Sequence, residues 1–130
     1  MKSRRYTRHV RKQVKWHKKV EKDDFEAAES YLALIYSPKK SARFVAALRR
    51  AEPVRFKAKD IFRASQLSRL GVSNLRVARD RKKIEAGRPL SPILLVRDER
   101  NGKVVVADGY HRLCAVYEVN EDLWIPCRIV

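Results

Sequence analysis

The segment Val104-Val105-Val106-Ala107-Asp108-Gly109-Tyr110-His111-Arg112 constrains this chain more than any other. Three consecutive valines read as a buried strand. Asp108-Gly109 is a strong turn signal. Beyond it Leu113, Val116 and Tyr117 recur at helical spacing. A strand therefore hands over to a helix at a turn carrying Asp108, Tyr110, His111 and Arg112. The free backbone N–H groups of such a turn, together with the helix dipole, form an anion site.

Around this junction the pattern predicts a single α+β domain. Asp23-Asp24 opens a helix over "DDFEAAESYLALIYS", with acids in its first turn and Phe25, Ala28, Leu32 and Ile35 on one face. Pro38 is read as its end and Ser41 as the cap of a second helix, "SARFVAALRRAE", which turns Phe44, Val45 and Leu48 inward and stops before Pro53. The two form a helical hairpin. A helix-turn-helix is the alternative, but the second helix lacks a row of base-reading polar residues. "VRFKAKDIF" alternates like a half-exposed strand, and "SQLSRLG" reads as a short helical turn. Ser73 or Asn74 caps a helix with Leu75, Val77 or Ala78, and Ile84 inward, ended by Gly87. "LSPILLVRD" and "VVVAD" are strands joined at Asn101-Gly102, and "LWIPCRIV" is a closing strand. The organisation expected is a basic arm over 1–22, a helical hairpin over 23–52 packed on the domain, and the domain itself over 53–130, a small mixed sheet with flanking helices.

Charge narrows the partners. The net charge is +16, and residues 1–22 hold ten Lys or Arg against one acid. Such a surface attracts polyanions. Arg4, Arg5, Arg8, Arg11, Lys12, Lys15, Lys18 and Lys19 are candidate phosphate-backbone contacts, with Trp16 or Tyr6 stacking on bases. A solvated extension and a membrane-surface helix are the alternatives for this arm, and the apolar face is thin for the latter. No apolar run is long enough to span a bilayer and no signal-peptide pattern appears, so the expected location is cytoplasmic. Cys114 and Cys127 read as buried thiols of a reducing compartment, with a disulfide between them as the alternative. No Cys/His spacing suggests zinc.

The order of strand, capped helix, "PILLV", Asn-Gly hairpin, "VVVADGYHRLCAVY" and "IPCRI" resembles the ParB/sulfiredoxin superfamily over about residues 54–130. At "DGYHRLCA" sulfiredoxins read Gly-Gly-Cys-His-Arg, the related free serine kinases Asp-Gly-His-His-Arg, and ParB proteins a Gly-Glu-Arg-Arg box. The resemblance implies a phosphate- or nucleotide-binding protein, with ATP or another nucleotide and magnesium as ligands. It also implies that Gly109 admits the ligand close to the backbone, that His111 and Arg112 hold phosphate oxygens, and that Asp108 binds magnesium or orients a hydroxyl. Asp108 and His111 are then the catalytic candidates. Arg76 stands where sulfiredoxins carry a phosphate-gripping lysine, and Arg79, one turn on, could assist.

The departures limit the chemistry. Tyr110 occupies the sulfiredoxin cysteine position, and a phenol does not replace a thiolate nucleophile. Tyr110 also replaces the Glu of the ParB box, and a chromosome-partitioning clamp with its long dimerisation region is not expected. An NTPase, a phosphotransferase or a nuclease, an activity described for some relatives, would need another carboxylate, for which Asp60 and Glu85 are candidates. Each motif residue also has a plain structural role open to it: Asp108 capping the following helix, His111 bonded to a carbonyl, Arg112 paired with Glu118 or Glu121. The main alternative is a non-catalytic nucleic-acid-binding accessory protein that uses the basic arm on DNA or RNA; a protein-interaction module built on the hairpin has no positive signal.

Overall fold

A computed structural model describes residues 14–130. Its elements are β1 (Lys15–Trp16), α1 (Lys22–Leu32), α2 (Pro38–Arg50), β2 (Val54–Lys57), α3 (Ala58–Ser65), α4 (Leu75–Glu85), β3 (Pro89–Leu90), β4 (Ile93–Asp98), β5 (Lys103–Asp108), α5 (Tyr110–Val119) and β6 (Trp124–Ile129). The main sheet has the order β2-β6-β4-β5; β6 runs parallel to β4 and the other two pairings are antiparallel. It is a small mixed α+β domain whose helices flank a modest sheet.

Burial on both faces explains the unbroken apolar runs of β4 and β5. Leu94, Val96, Val105 and Ala107 face α1 and α2, joining Phe25, Ala28, Leu32, Val45 and Leu48 in one cluster. Ile93, Leu95, Val104 and Val106 face the other way, into a cluster with Ile61, Phe62, Val77, Ile84 and Leu113 from α3, α4 and α5. A strand sandwiched between helix layers has no polar side, so alternation disappears from its sequence. The hairpin thus supplies one wall of the core. Arg128 adds a tie, its Nη1 donating to the carbonyl of Arg49 at 2.8 Å, where α2 leaves carbonyls free.

The short segment before α1 is strapped onto the domain. β1 pairs in parallel with β3, the His17 N–H donates to the Leu90 carbonyl at 2.8 Å, and Val20 is buried against α1 and the sheet. Trp16 is half-buried against the core. Lys15, Lys18 and Lys19 are exposed. The expectations for Arg4, Arg5, Tyr6, Arg8, Arg11 and Lys12 lie outside the described residues.

Several local readings are corrected. Pro38 starts α2 rather than ending α1: it sits in the first turn, where its missing N–H costs nothing, and the Ser37 Oγ accepts the Lys40 N–H at 3.2 Å. Ser41 is buried inside the helix instead of capping it. α1 stops at Leu32, and Ile35 turns outward as Tyr36 stacks on Phe44 at 4.9 Å. The strand at Val54 ends at Lys57. Ala58, Ile61, Phe62 and Ser65 follow a helical spacing, and all four are buried on one side of α3. Gln66, at φ +59°, ends that helix, and "SQLSRLG" continues as an irregular loop. Asn74 caps α4 by accepting the N–H groups of Arg76 and Val77, but Leu75 points to solvent.

Because the hairpin and sheet share one core, Leu48→Ala should destabilise the whole domain by about 3 kcal/mol. In chemical denaturation, tryptophan fluorescence and far-ultraviolet circular dichroism should shift together; separate transitions would show that the hairpin unfolds alone.

Candidate functional site

The junction singled out in the sequence is made by a bulge, a turn and a helix start. Along the β4–β5 ladder Leu95 pairs with Val106 but Leu94 pairs with Asp108, so Ala107 is an extra residue that re-aims Asp108 at the end of the strand. Gly109 follows at φ +103°. A Cβ there would lie 2.9 Å from both the Arg112 Nη2 and Ile93 Cγ1. The space that glycine leaves is therefore filled by the Arg112 guanidinium. No side chain caps α5, whose first intrahelical acceptor, the Gly109 carbonyl, receives the Leu113 N–H.

Arg112 turns inward. Its Nη2 faces three acceptors: Asp108 Oδ2 at 3.0 Å, Asp24 Oδ2 at 3.2 Å and the Pro92 carbonyl at 3.2 Å. The three charged side chains are only 13–16% exposed. A nitrogen with two hydrogens shares them among these acceptors, while the buried Nε has no acceptor among the described residues. This cross-link joins α1, the end of β5 and the start of α5. It takes the place of the surface pairing of Arg112 with Glu118 or Glu121. Burial, helped by the neighbouring Asp24 carboxylate and opposed by Arg112, pushes the Asp108 carboxyl up to about 6.

Outside the cross-link lies a cleft of about 310 Å³ between α4 and the turn. Arg76, Arg79 and Lys83 line it at positions i, i+3 and i+7 of α4, opposite residues 108–112. None of these three is in an ion pair among the described residues. Asp80 shares the wall, its carboxyl pushed up by burial against the pull of Arg112, Lys83 and His111. His111 faces the same space. Burial and the nearby Arg76 hold its imidazole below the ordinary value, which favours the neutral ring at neutral pH.

The structure thus gathers Asp108, Gly109, His111, Arg112 and Arg76, with Arg79, around one cleft. Asp60 and Glu85 are elsewhere, paired with Arg63 at 3.6 Å and Arg81 at 3.8 Å. Asp24, Asp80 and Lys83 were missed. Lys83 and Asp80 share a stripe of α4 with Arg76 and Arg79, a charged spacing that in sequence looks the same on any solvated helix face. Asp24, 88 residues from Arg112, left no local signal.

Tyr110 has a structural task. Its hydroxyl donates to the Ser68 carbonyl and its ring meets Phe62 edge-on at 6.4 Å, fastening the loop after α3 over the start of α5. Both thiols are free and buried. Burial pushes Cys114 up and Cys127 to about 12, so neither is a thiolate nucleophile at neutral pH.

The donor set does not fit magnesium on Asp108. That carboxylate already holds a guanidinium, and among the described residues no three His, Cys, Asp or Glu side chains gather as a metal site. Basic groups and a helix start suit an anion. Among the described residues no helix is long and apolar enough to cross a membrane. Compared with protein-family models, curated proteins and solved structures, the chain matches none.

Removing Arg112 strands two buried carboxyls, so Arg112→Ala should cost about 3–5 kcal/mol in denaturant titration. Asp108→Asn keeps an acceptor and removes a charge. A carboxyl whose native value lies above the unfolded 3.8 favours the fold at low pH, and that contribution is lost as pH rises through about 6. The stability of the parent relative to Asp108→Asn should therefore fall between pH 4 and pH 7, with a limit of about 3 kcal/mol. A flat difference across that range would show that Asp108 does not titrate there.

Proposed function

We propose that this chain is a phosphate-binding protein of the ParB/sulfiredoxin-like kind that acts on or near nucleic acid. The observation that carries the reading is the stripe of Arg76, Arg79 and Lys83, without an ion pair among the described residues, facing the start of α5 across one cleft. An unpaired cation row opposite free N–H groups favours an oxyanion over any neutral ligand. Arg112 contributes differently from the superfamily expectation. Locked to Asp24 and Asp108, it sets the turn and leaves the oxygens to Arg76, Arg79, Lys83, His111 and the backbone.

A phosphate bound there would sit beside the His111 imidazole, whose lowered value favours the neutral ring, so the role open to His111 is that of a proton acceptor. Asp108 stays behind the guanidinium as a positioning group. A second reading, nucleic-acid binding by the arm without chemistry, is favoured by the charge excess of residues 1–22.

The test is thermal unfolding of the full chain with inorganic phosphate, pyrophosphate and nucleotides at low ionic strength. A ligand at a hundred times its Kd should stabilise by about 2.7 kcal/mol. Arg76→Ala should lose most of that gain while unfolding normally without ligand. Absence of stabilisation by every phosphate-bearing anion would sink the reading.

A further inference from the structure

A lone phosphate leaves half of this region unexplained. On the other side of the Asp108–His111 turn lies a second groove of about 380 Å³, lined by Ala27 and Tyr31 of α1, by Leu67, and by Val106 and Ala107. It shares Arg76 and residues 108–111 with the cleft, so the two cavities adjoin at the turn. Its added wall is apolar, and it carries two large side chains that the fold leaves in water: Tyr31 is 43% exposed and Leu67 44%. At the opposite end, α4 runs out to Gly87. There the Lys15 Nζ lies 3.7 Å from where a Cβ would be, which puts the base of the basic arm beside the end of the helix.

The order along this path is an apolar groove, then Arg76, Arg79 and Lys83, then Lys15. The stripe from 76 to 83 covers about 10 Å of helix axis at 1.5 Å per residue. A strand with unstacked bases spaces its phosphates more widely than the ~3.4 Å per-strand rise of a stacked duplex, so the stripe reaches two or three successive phosphates. A groove with an apolar wall and an exposed tyrosine, adjoining a row of cations, matches a chain of phosphates with an unstacked base. It does not match a duplex, whose bases remain inside the stack.

Resting on the phosphate reading of the cleft, we infer that the ligand is a single strand of nucleic acid, with one unstacked base in the groove against Tyr31 and Leu67, successive phosphates on Arg76, Arg79 and Lys83, and the strand continuing toward Lys15. The apolar groove receives its occupant by charge complementarity: the ring that enters it is attached to the anion that the adjoining cations hold.

Fluorescence anisotropy of the full chain with labelled ten-nucleotide single strands of DNA and RNA tests this. The comparisons are an abasic strand of equal length, a duplex and polyglutamate. The normal strands should bind at least fivefold more tightly than the abasic one. Tyr31→Ala should remove most of that difference and leave abasic binding unchanged, while Tyr31→Phe should retain it. The double variant Arg79→Ala/Lys83→Ala should flatten the salt dependence by about 1.4 in logarithmic slope. Equal binding of normal and abasic strands, a duplex bound as tightly as a single strand, equal competition by polyglutamate, or an indifferent Tyr31→Ala would each overturn the inference. If inorganic phosphate still stabilises the protein in such a case, the phosphate reading survives and only the single-strand assignment falls.

Discussion

The Arg112 guanidinium between Asp24 and Asp108 holds the rest of the site in place. It is the contact at which the hairpin, the edge strand β5 and the helix α5 meet, and its three charges are nearly withdrawn from water. Desolvating them is costly, and the attraction offsets that cost only while all three stay in register. Burial first, and then the second acid facing the same cation, raises the Asp108 carboxyl. Gly109 is part of the same arrangement, since a side chain there would strike the guanidinium. The turn is rigid because its glycine, arginine and two acids are each fitted to the others.

That internal neutralisation decides what the cleft offers outside. With Arg112 satisfied from within, the free positive charge is carried by α4, on residues that make no ion pair among those described. Cations gathered in one cleft attract an anion, while Asp80 on the same wall offsets part of their charge. Burial and the neighbouring Arg76 lower the His111 imidazole, which favours its neutral form in this cleft. The loop after α3, fastened by Tyr110, and the exposed side of α1 frame the neighbouring groove. In this chain the tyrosine at the expected nucleophile position is therefore a fastener.

Most of the fold was legible because its signals are local. The valine run, the Asp-Gly turn, the Asn74 cap, the stop at Gly87 and the helical spacing of Phe25, Ala28 and Leu32 each depend on a few neighbouring residues. The misreadings share a cause. In "VRFKAKDIF" an alternating start conceals the helical spacing of Ala58, Ile61, Phe62 and Ser65, and at Pro38 a residue that ends one helix is equally able to begin the next. The cleft was half legible: the turn and Arg76 announced themselves, while Asp80 and Lys83 were lost in a run whose charge has the same look on a solvated face.

The sequence by itself determined a strand-to-helix turn rich in polar groups, a large positive charge and helices that cover a mixed sheet, because backbone preference and apolar period act over a handful of residues. Only the tertiary structure decided which charges are spent internally and which remain free. Asp24 reaches Arg112 across 88 residues of chain, and the bulge at Ala107 sets the direction in which Asp108 points. Electrostatic pairing depends on distance in space and on shared burial, and neither is written in the order of the residues.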